Sequence, residues 1–182
     1  EFFPVSSSGH LAIAQSLLGL RDPMVEFDVF LHLGTLVAVM VYFAPDIIRL
    51  VTVDRRTLGL LVVASIPTFL IGFFCKDAIE AVFGAPAVVG IMMALTGIAL
   101  IATSIFGRYA DRKKAWKKPG IVTSLVIGIA QGIAILPGVS RSGATIMAGI
   151  FAGFTKEEAF KFAFLLSIPA VGGAAVLKAA KI

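Results

Sequence analysis

Four ionisable side chains stand within or beside long apolar runs of this sequence: Glu1, His10, His32 and Arg141. At bilayer depth such a group is costly, so each is a functional candidate until a partner accounts for it. Arg141 is the sharpest of the four. It lies between Ser140 and Ser142 in a Gly-bounded turn that opens a helix, so its planar fork, the two hydroxyls and the unpaired amides of the helix start aim donors at one place. Those amides and the helix dipole together favour phosphate. The competing reading is an arginine that snorkels to the interface or pairs with a structural acid. The distance of Arg141 from either end of its apolar stretch weighs against that.

Ser6, Ser7 and Ser8 precede a second expected helix start, near Gly9, and supply the complementary set. Ser7 and His10 are three apart, on one helical face and within reach of each other. A serine near a histidine is the minimum for an activated nucleophile or a proton shuttle. For Ser6 and Ser8 the commoner reading is capping, since serine is a preferred N-cap. Glu1 is expected to face the same cluster, where its carboxylate suits a hard divalent cation whose shell phosphate oxygens complete. His32 reads as a packing histidine with a satisfied hydrogen bond. Met92, Met93 and the phenylalanines read as lipid-facing or core. Cys75 is the one cysteine; it can form no internal disulfide, and packing is its expected role.

The elements that must hold these residues are membrane elements. Of 182 residues, 58% are hydrophobic and 15% charged, against about 45–50% and about 25% in soluble domains. A mean hydropathy of +0.98 and 18 glycines agree. Disorder, collagen and coiled coil are excluded. The net charge of +5 does not imply nucleic acid, because the basic residues sit in loops between apolar runs. The sequence opens on Glu1 with no signal-peptide pattern and stops at Ile182 directly after an apolar helix pattern. The expectation is a fragment lacking both termini.

Four segments approach the roughly 20 apolar residues that a bilayer needs: 28–44, 57–76, 85–107 and 159–178. The stretches Pro4 to Leu20 and Ile121 to Phe154 are apolar but carry Pro, Gly and Ser clusters, and read as re-entrant hairpins. Irregular backbone survives at depth only against protein or a water-filled cavity, so each cluster marks a cavity. The loops 45–56 and 108–118 are rich in Arg and Lys and should be cytoplasmic. The turns 21–28 and 76–86 are acidic and should lie outside.

The two broken segments resemble each other. Val5-Ser6-Ser7-Ser8-Gly9 matches Val139-Ser140-Arg141-Ser142-Gly143 at a constant offset of 134, each with a proline just upstream, and the same offset carries Phe30 onto Phe164. Three crossings separate the copies, so they should enter the membrane from opposite faces and meet near the midplane, as an inverted-topology repeat. The chain then reads as one integral membrane domain over 1–182, with repeat 1 at 1–107 and an incomplete repeat 2 at 120–182.

The two motifs, Glu1 to His10 (EFFPVSSSGH) and Pro137 to Thr145 (PGVSRSGAT), resemble the signatures of the undecaprenyl-diphosphate phosphatases, the bacitracin-resistance membrane phosphatases. The resemblance extends over Phe27 to Phe43 and Glu158 to Pro169, nearly the whole chain. It implies a metal-dependent hydrolase, using Mg2+ or Ca2+, that converts a polyprenyl diphosphate to the monophosphate used by cell-wall synthesis. By resemblance, Glu1 matches the second of a pair of metal-binding glutamates, whose first member would lie upstream. Ser7 and His10 match the catalytic hydroxyl and imidazole, Arg141 the diphosphate-binding arginine, and Ser140 and Thr145 the lining of the site, with Ser6, Ser8 and Ser142 beside them.

The expectation is therefore an all-α polytopic protein of the plasma (inner) membrane, clamping a lipid diphosphate between two hairpins with its prenyl chain between helices. Membrane lipid and a homodimer are the expected partners, and nucleic acid is not one. Whether Ser7, His10 or water is the nucleophile stays open. The rival class is a polyprenyl-phosphate transporter or flippase, since inverted repeats with broken helices are transporter architecture.

Overall fold

Helix-forming apolar runs fill this chain, so prolines, glycines and side-chain caps decide where each helix stops. The computed structural model describes residues 2–19, 25–83, 85–110 and 120–179, with the backbone alone at 25–29, 80, 83, 106–110 and 177–179. Over these residues it is all helical. In chain order come α1 (Ser7–Leu17), α2 (Val25–Tyr42), α3 (Ala44–Thr52), α4 (Arg55–Phe74), α5 (Lys76–Phe83), α6 (Pro86–Ala110), α7 (Ile121–Ile133), α8 (Arg141–Phe151) and α9 (Lys156–Ala179). Within these, α4, α6 and α9 each contain a stretch long and apolar enough to cross a membrane, and the bent pair α2 and α3 makes a fourth if it is one span.

Four expectations change. The span expected at 28–44 stops at Tyr42, and its axis turns by 68° into α3, inside the stretch 45–56 read as a loop. Pro45 accounts for this: it has no N–H and its ring would clash with the carbonyl four residues earlier, yet it fits the first turn of a new helix. The turn expected at 76–86 likewise contains α5. Cys75, expected to pack, is the C-cap of α4 and is exposed, because α4 ends before the polar pair Lys76 and Asp77 opens the next helix. In the stretch Pro4 to Leu20 the described residues hold one helix, α1, not two arms.

Side-chain caps start α4 and α9. Asp54 starts α4 by accepting from Thr57 Oγ1 at 2.8 Å and Thr57 N at 3.1 Å, and these bonds hold its carboxyl below the usual range. Thr155 and Glu158 start α9 reciprocally. Thr155 Oγ1 and N donate to Glu158 Oε2 at 2.9 and 3.1 Å, and Glu158 N donates back to Thr155 Oγ1 at 3.3 Å.

The tightest packing joins α4 to α7. Gly128 and Gly132 have the small-residue spacing that lets membrane helices approach closely. A Cβ on Gly128 would overlap the Ala64 carbonyl, and one on Gly132 would overlap the Ile71 side chain. Across this contact Thr68 Oγ1 donates to Gly128 O at 3.0 Å and accepts from Gln131 Nε2 at 3.2 Å. A second centre is Phe164 on α9, whose ring meets those of Phe160 at 4.4 Å, Phe2 at 5.5 Å and Phe43 at 6.1 Å. Phe30, its counterpart at the 134 offset, is exposed, so that match is in sequence and not in environment.

Gly128→Ala tests the α4 to α7 contact. The added methyl has backbone in its way, so it should destabilise the chain by roughly 1–3 kcal/mol, the range of overpacked cores. Thermal unfolding in detergent measures it, and an unchanged Tm would mean that the helices stand further apart.

Candidate active site

The second motif is the turn between α7 and α8. Gly138 sits at φ +92°, open to glycine, and a Cβ there would press on Met92 Cβ at 2.8 Å and on the backbone of Val89. Its carbonyl lies 3.3 Å from Thr96 Oγ1, which also approaches Met92 O at 2.9 Å. One face of α6 is thus moulded to this turn. Ser140 is buried and caps α8, its Oγ accepting from Gly143 N at 3.1 Å and standing 3.4 Å from Ser142 Oγ. Arg141 is the first helical residue and is half-buried. Thr145 is buried one turn below and donates to Arg141 O at 2.8 Å, so its hydroxyl proton holds the backbone beneath the arginine.

The first motif starts α1 two residues earlier than expected, at Ser7. Ser6 is the buried cap, with Oγ accepting from Gly9 N at 3.3 Å. Ser7 and Ser8 are half-buried. Gly9 is buried against α6, where a Cβ would come within 2.6 Å of Met93 Sδ. His10 is exposed, and its Nδ1 donates to Ser6 O at 2.9 Å.

The two starts share their cap and backbone bonds. The 134 offset carries both ends of α1 onto both ends of α8, the cap bond of Ser6 onto that of Ser140, and Gly19 at φ +73° onto Gly153 at φ +107°. It also carries the terminal pair Leu18 N to Ala14 O and Gly19 N to Ser16 O onto Ala152 N to Ala148 O and Gly153 N to Ile150 O.

They also stand close together. A Cβ on Gly143 would lie 3.4 Å from Pro4 Cβ, the ring of Phe2 stacks on Phe164, and α6 packs on both α1 and α8. Glu1 lies outside the described residues. His32 is half-buried on α2, away from either motif in sequence. Among the described residues no three His, Cys, Asp or Glu side chains gather as metal ligands. Sequence reasoning missed Thr96, and it read Met92 and Met93 only as generic core or lipid-facing residues, although these are what hold the loops in place. The one signal available was a threonine within a membrane-length apolar run.

Comparison with known proteins shows the family. A family model described as bacitracin resistance protein BacA matches residues 1–182. The chain belongs to the BacA family. A protein named undecaprenyl-diphosphatase from Carboxydothermus hydrogenoformans is 42% identical over 178 residues, covering 97% of this chain and 67% of that protein. Those of the same name from Desulforapulum autotrophicum and Rhodopirellula baltica are 39% and 40% identical, with 97% of this chain and 71% and 68% of theirs aligned. Both motifs fall inside the stretch matched to the BacA family.

Thr96→Val removes the hydroxyl that reaches Gly138 O while keeping the shape of the side chain. In the full chain it should lower phosphatase turnover several-fold although Thr96 lies behind the loop. Thr96→Ser, which keeps the hydroxyl, should retain more activity. Equal rates in both variants would detach α6 from the site.

Proposed function

We propose that this chain hydrolyses undecaprenyl diphosphate to the monophosphate and inorganic phosphate, recycling a lipid carrier for cell-wall synthesis. The observation that carries this is the pair of matched helix starts packed on α6, one presenting a cation and the other a hydroxyl and an imidazole. The names of the relatives speak for a phosphatase and against the transporter reading.

Arg141 grips phosphate oxygens with its fork, and the first-turn amides of α8 that Ser140 leaves uncapped add donors along the helix axis. These donors are fixed before the reaction, which is where electrostatic catalysis gains most. Ser7, at the first position of α1, attacks the terminal phosphorus and expels the prenyl monophosphate, His10 taking the hydroxyl proton; water then cleaves the phosphoseryl bond, releasing inorganic phosphate and restoring the Ser7 hydroxyl. Ser6 and Ser140 act as caps, which puts them under the site, while Ser8 and Ser142 are half-buried beside it. A hard divalent cation, Mg2+ or Ca2+, belongs to the proposal. Glu1 would hold it, together with substrate oxygens, in the open shell usual for Mg2+, and it would neutralise phosphate charge when bound.

The arrangement in the membrane that fits this chemistry is an inverted repeat in a multi-pass protein of the plasma membrane. Two features support it. Lys161 pairs with Asp46, so α9 begins at the end of the bundle where α3 lies and α4 begins. The 13 residues of α7 span only about 20 Å, short of the roughly 30 Å hydrocarbon core, as a re-entrant arm would be. The exposed apolar faces of α4 and α6 suit lipid or a second copy of the chain.

Phosphate release from prenyl diphosphate in detergent, with and without chelator, tests the reading. Chelation should abolish release, and Mg2+ or Ca2+ should restore it. Arg141→Lys should lose ~10²-fold in kcat, since charge without a fork cannot replace a bidentate donor. No release from the full chain under any condition would overturn the phosphatase, full activity in excess chelator would remove the metal, and unchanged Arg141→Lys would remove the arginine.

Topology is tested by single cysteines at Asp22 and at Lys156 in a Cys75→Ser background. An impermeant reagent added outside should label Asp22→Cys alone. Labelling of both would place α9 in the opposite sense and end the inverted arrangement.

A further inference from the structure

Although α1 and α8 begin with the same backbone bonds, their caps differ in one torsion pair. Ser140 has φ −74° and ψ 116°, an ordinary extended N-cap. Ser6 has φ +60° and ψ 78° and is the one residue other than glycine with positive φ among those described. L side chains enter this region at a cost and persist there where the surroundings over-determine them, most often at functional sites.

Both cap carbonyls accept the amide four residues on, and the first takes a side-chain donor as well. Ser140 O accepts the backbone amide of Ala144 at 2.8 Å. Ser6 O accepts the backbone amide of His10 at 3.1 Å and also His10 Nδ1 at 2.9 Å. Position 144 is the counterpart of His10 at the 134 offset, so alanine there leaves the second cap without a side-chain donor. A carbonyl has no proton to give. Nδ1 therefore carries the hydrogen, and in the neutral ring Nε2 keeps the lone pair.

We propose that Ser6 is a positioning residue, whose carbonyl, held by a buried left-handed cap, accepts His10 Nδ1–H, fixing the Nδ1–H tautomer and presenting Nε2 as the nitrogen that accepts the reaction's proton. The inference rests on the hydrolysis proposed above and adds to it the atom that acts and the group that aims it. As the attacking oxygen bonds to the terminal phosphorus, its proton passes to Nε2. The bridging P–O bond breaks, and its electron pair leaves with the prenyl monophosphate. The ring is then an imidazolium, and the Nδ1–H bond to Ser6 O strengthens as the donor becomes charged. In hydrolytic triads a carboxylate orients the histidine in this way. Here a backbone carbonyl does so, and it adds no negative charge beside a phosphate site. The burial of Ser6 and the seating of Gly9 against Met93 keep that carbonyl in place.

The chain has two histidines, so ring-15N-labelled full-length protein in micelles gives two sets of resonances, and His32→Gln assigns them. At pH 8, above the ordinary histidine pKa of about 6.5, His10 should show a protonated-type shift at Nδ1 and an unprotonated-type shift at Nε2. The reverse pattern, averaged shifts or a doubly protonated ring would overturn the proposal. Ser6→Gly tolerates positive φ and should keep the spectrum. Ser6→Val disfavours it and should give averaged shifts, with kcat falling on the order of 10²-fold and KM little changed. If Ser6→Val does not fold, Ser6→Ala is read in the same way. A folded variant that keeps the wild-type tautomer and turnover would remove Ser6 from this role. The spectra need no substrate, so a failed hydrolysis assay and a failed tautomer assignment are separate results.

Discussion

Two helices of this chain, α1 and α8, begin at buried serine caps inside apolar stretches, and much of the surrounding packing serves those beginnings. A helix start exposes up to four amides, and in hydrocarbon each one left unpaired costs several kcal/mol. Ser6 and Ser140 each remove one amide through a cap bond, to Gly9 and Gly143. The remaining donors are tolerable only if protein walls them from lipid and an anion meets them from the other side. Membrane helix ends that are not at the interface therefore favour an anion site, and the family's diphosphate chemistry fits that demand.

The walls are built from close contacts that need small residues. α6 accepts Gly9 on Met93 and Gly138 on Met92 and Val89, so one straight helix fixes the relative position of two loops that are distant in sequence. α7 can approach from behind because Gly128 and Gly132 let it settle onto α4, with Thr68 and Gln131 bridging the contact. A Cβ at Gly128 or Gly138 would meet backbone and force a helix or the turn to move, whereas at Gly9 it would meet the flexible end of Met93.

Much of this was legible in the sequence, and the limits have physical causes. The broken segments and their 134 offset could be read because proline, glycine and serine at fixed spacing are rare inside apolar runs, and the structure repeats the correspondence in caps, helix ends and the positive-φ glycines 19 and 153. The break at Phe43 and the helix after it were not foreseen: the charges of 45–56 read as a loop, and only Pro45 betrays a new helix start. Thr96 and Met93 were missed as loop supports because a residue that serves by its shape against a glycine has the same letter as one that faces lipid. The left-handed backbone of Ser6 was invisible for a stronger reason. Nothing in four matching letters out of five says that one cap will be extended and the other strained.

That last asymmetry explains why a repeat can make a two-part site. Both copies supply a capped helix start, which is what phosphate recognition needs, and both can keep it because caps and glycines are set by local sequence. The copies then diverge at two exposed or half-buried positions, Ser7 against Arg141 and His10 against Ala144. Placing the cation in one copy and the imidazole in the other keeps like charges apart once His10 takes a proton, because each helix start carries a single ionisable group in its first turn. A site with both groups on one start would set an imidazolium against a guanidinium at the positive end of the same helix dipole, where each raises the other's cost. In the proposed site, dividing the two between α1 and α8 would let both face one phosphate from separate directions, with α6 packed against both helices.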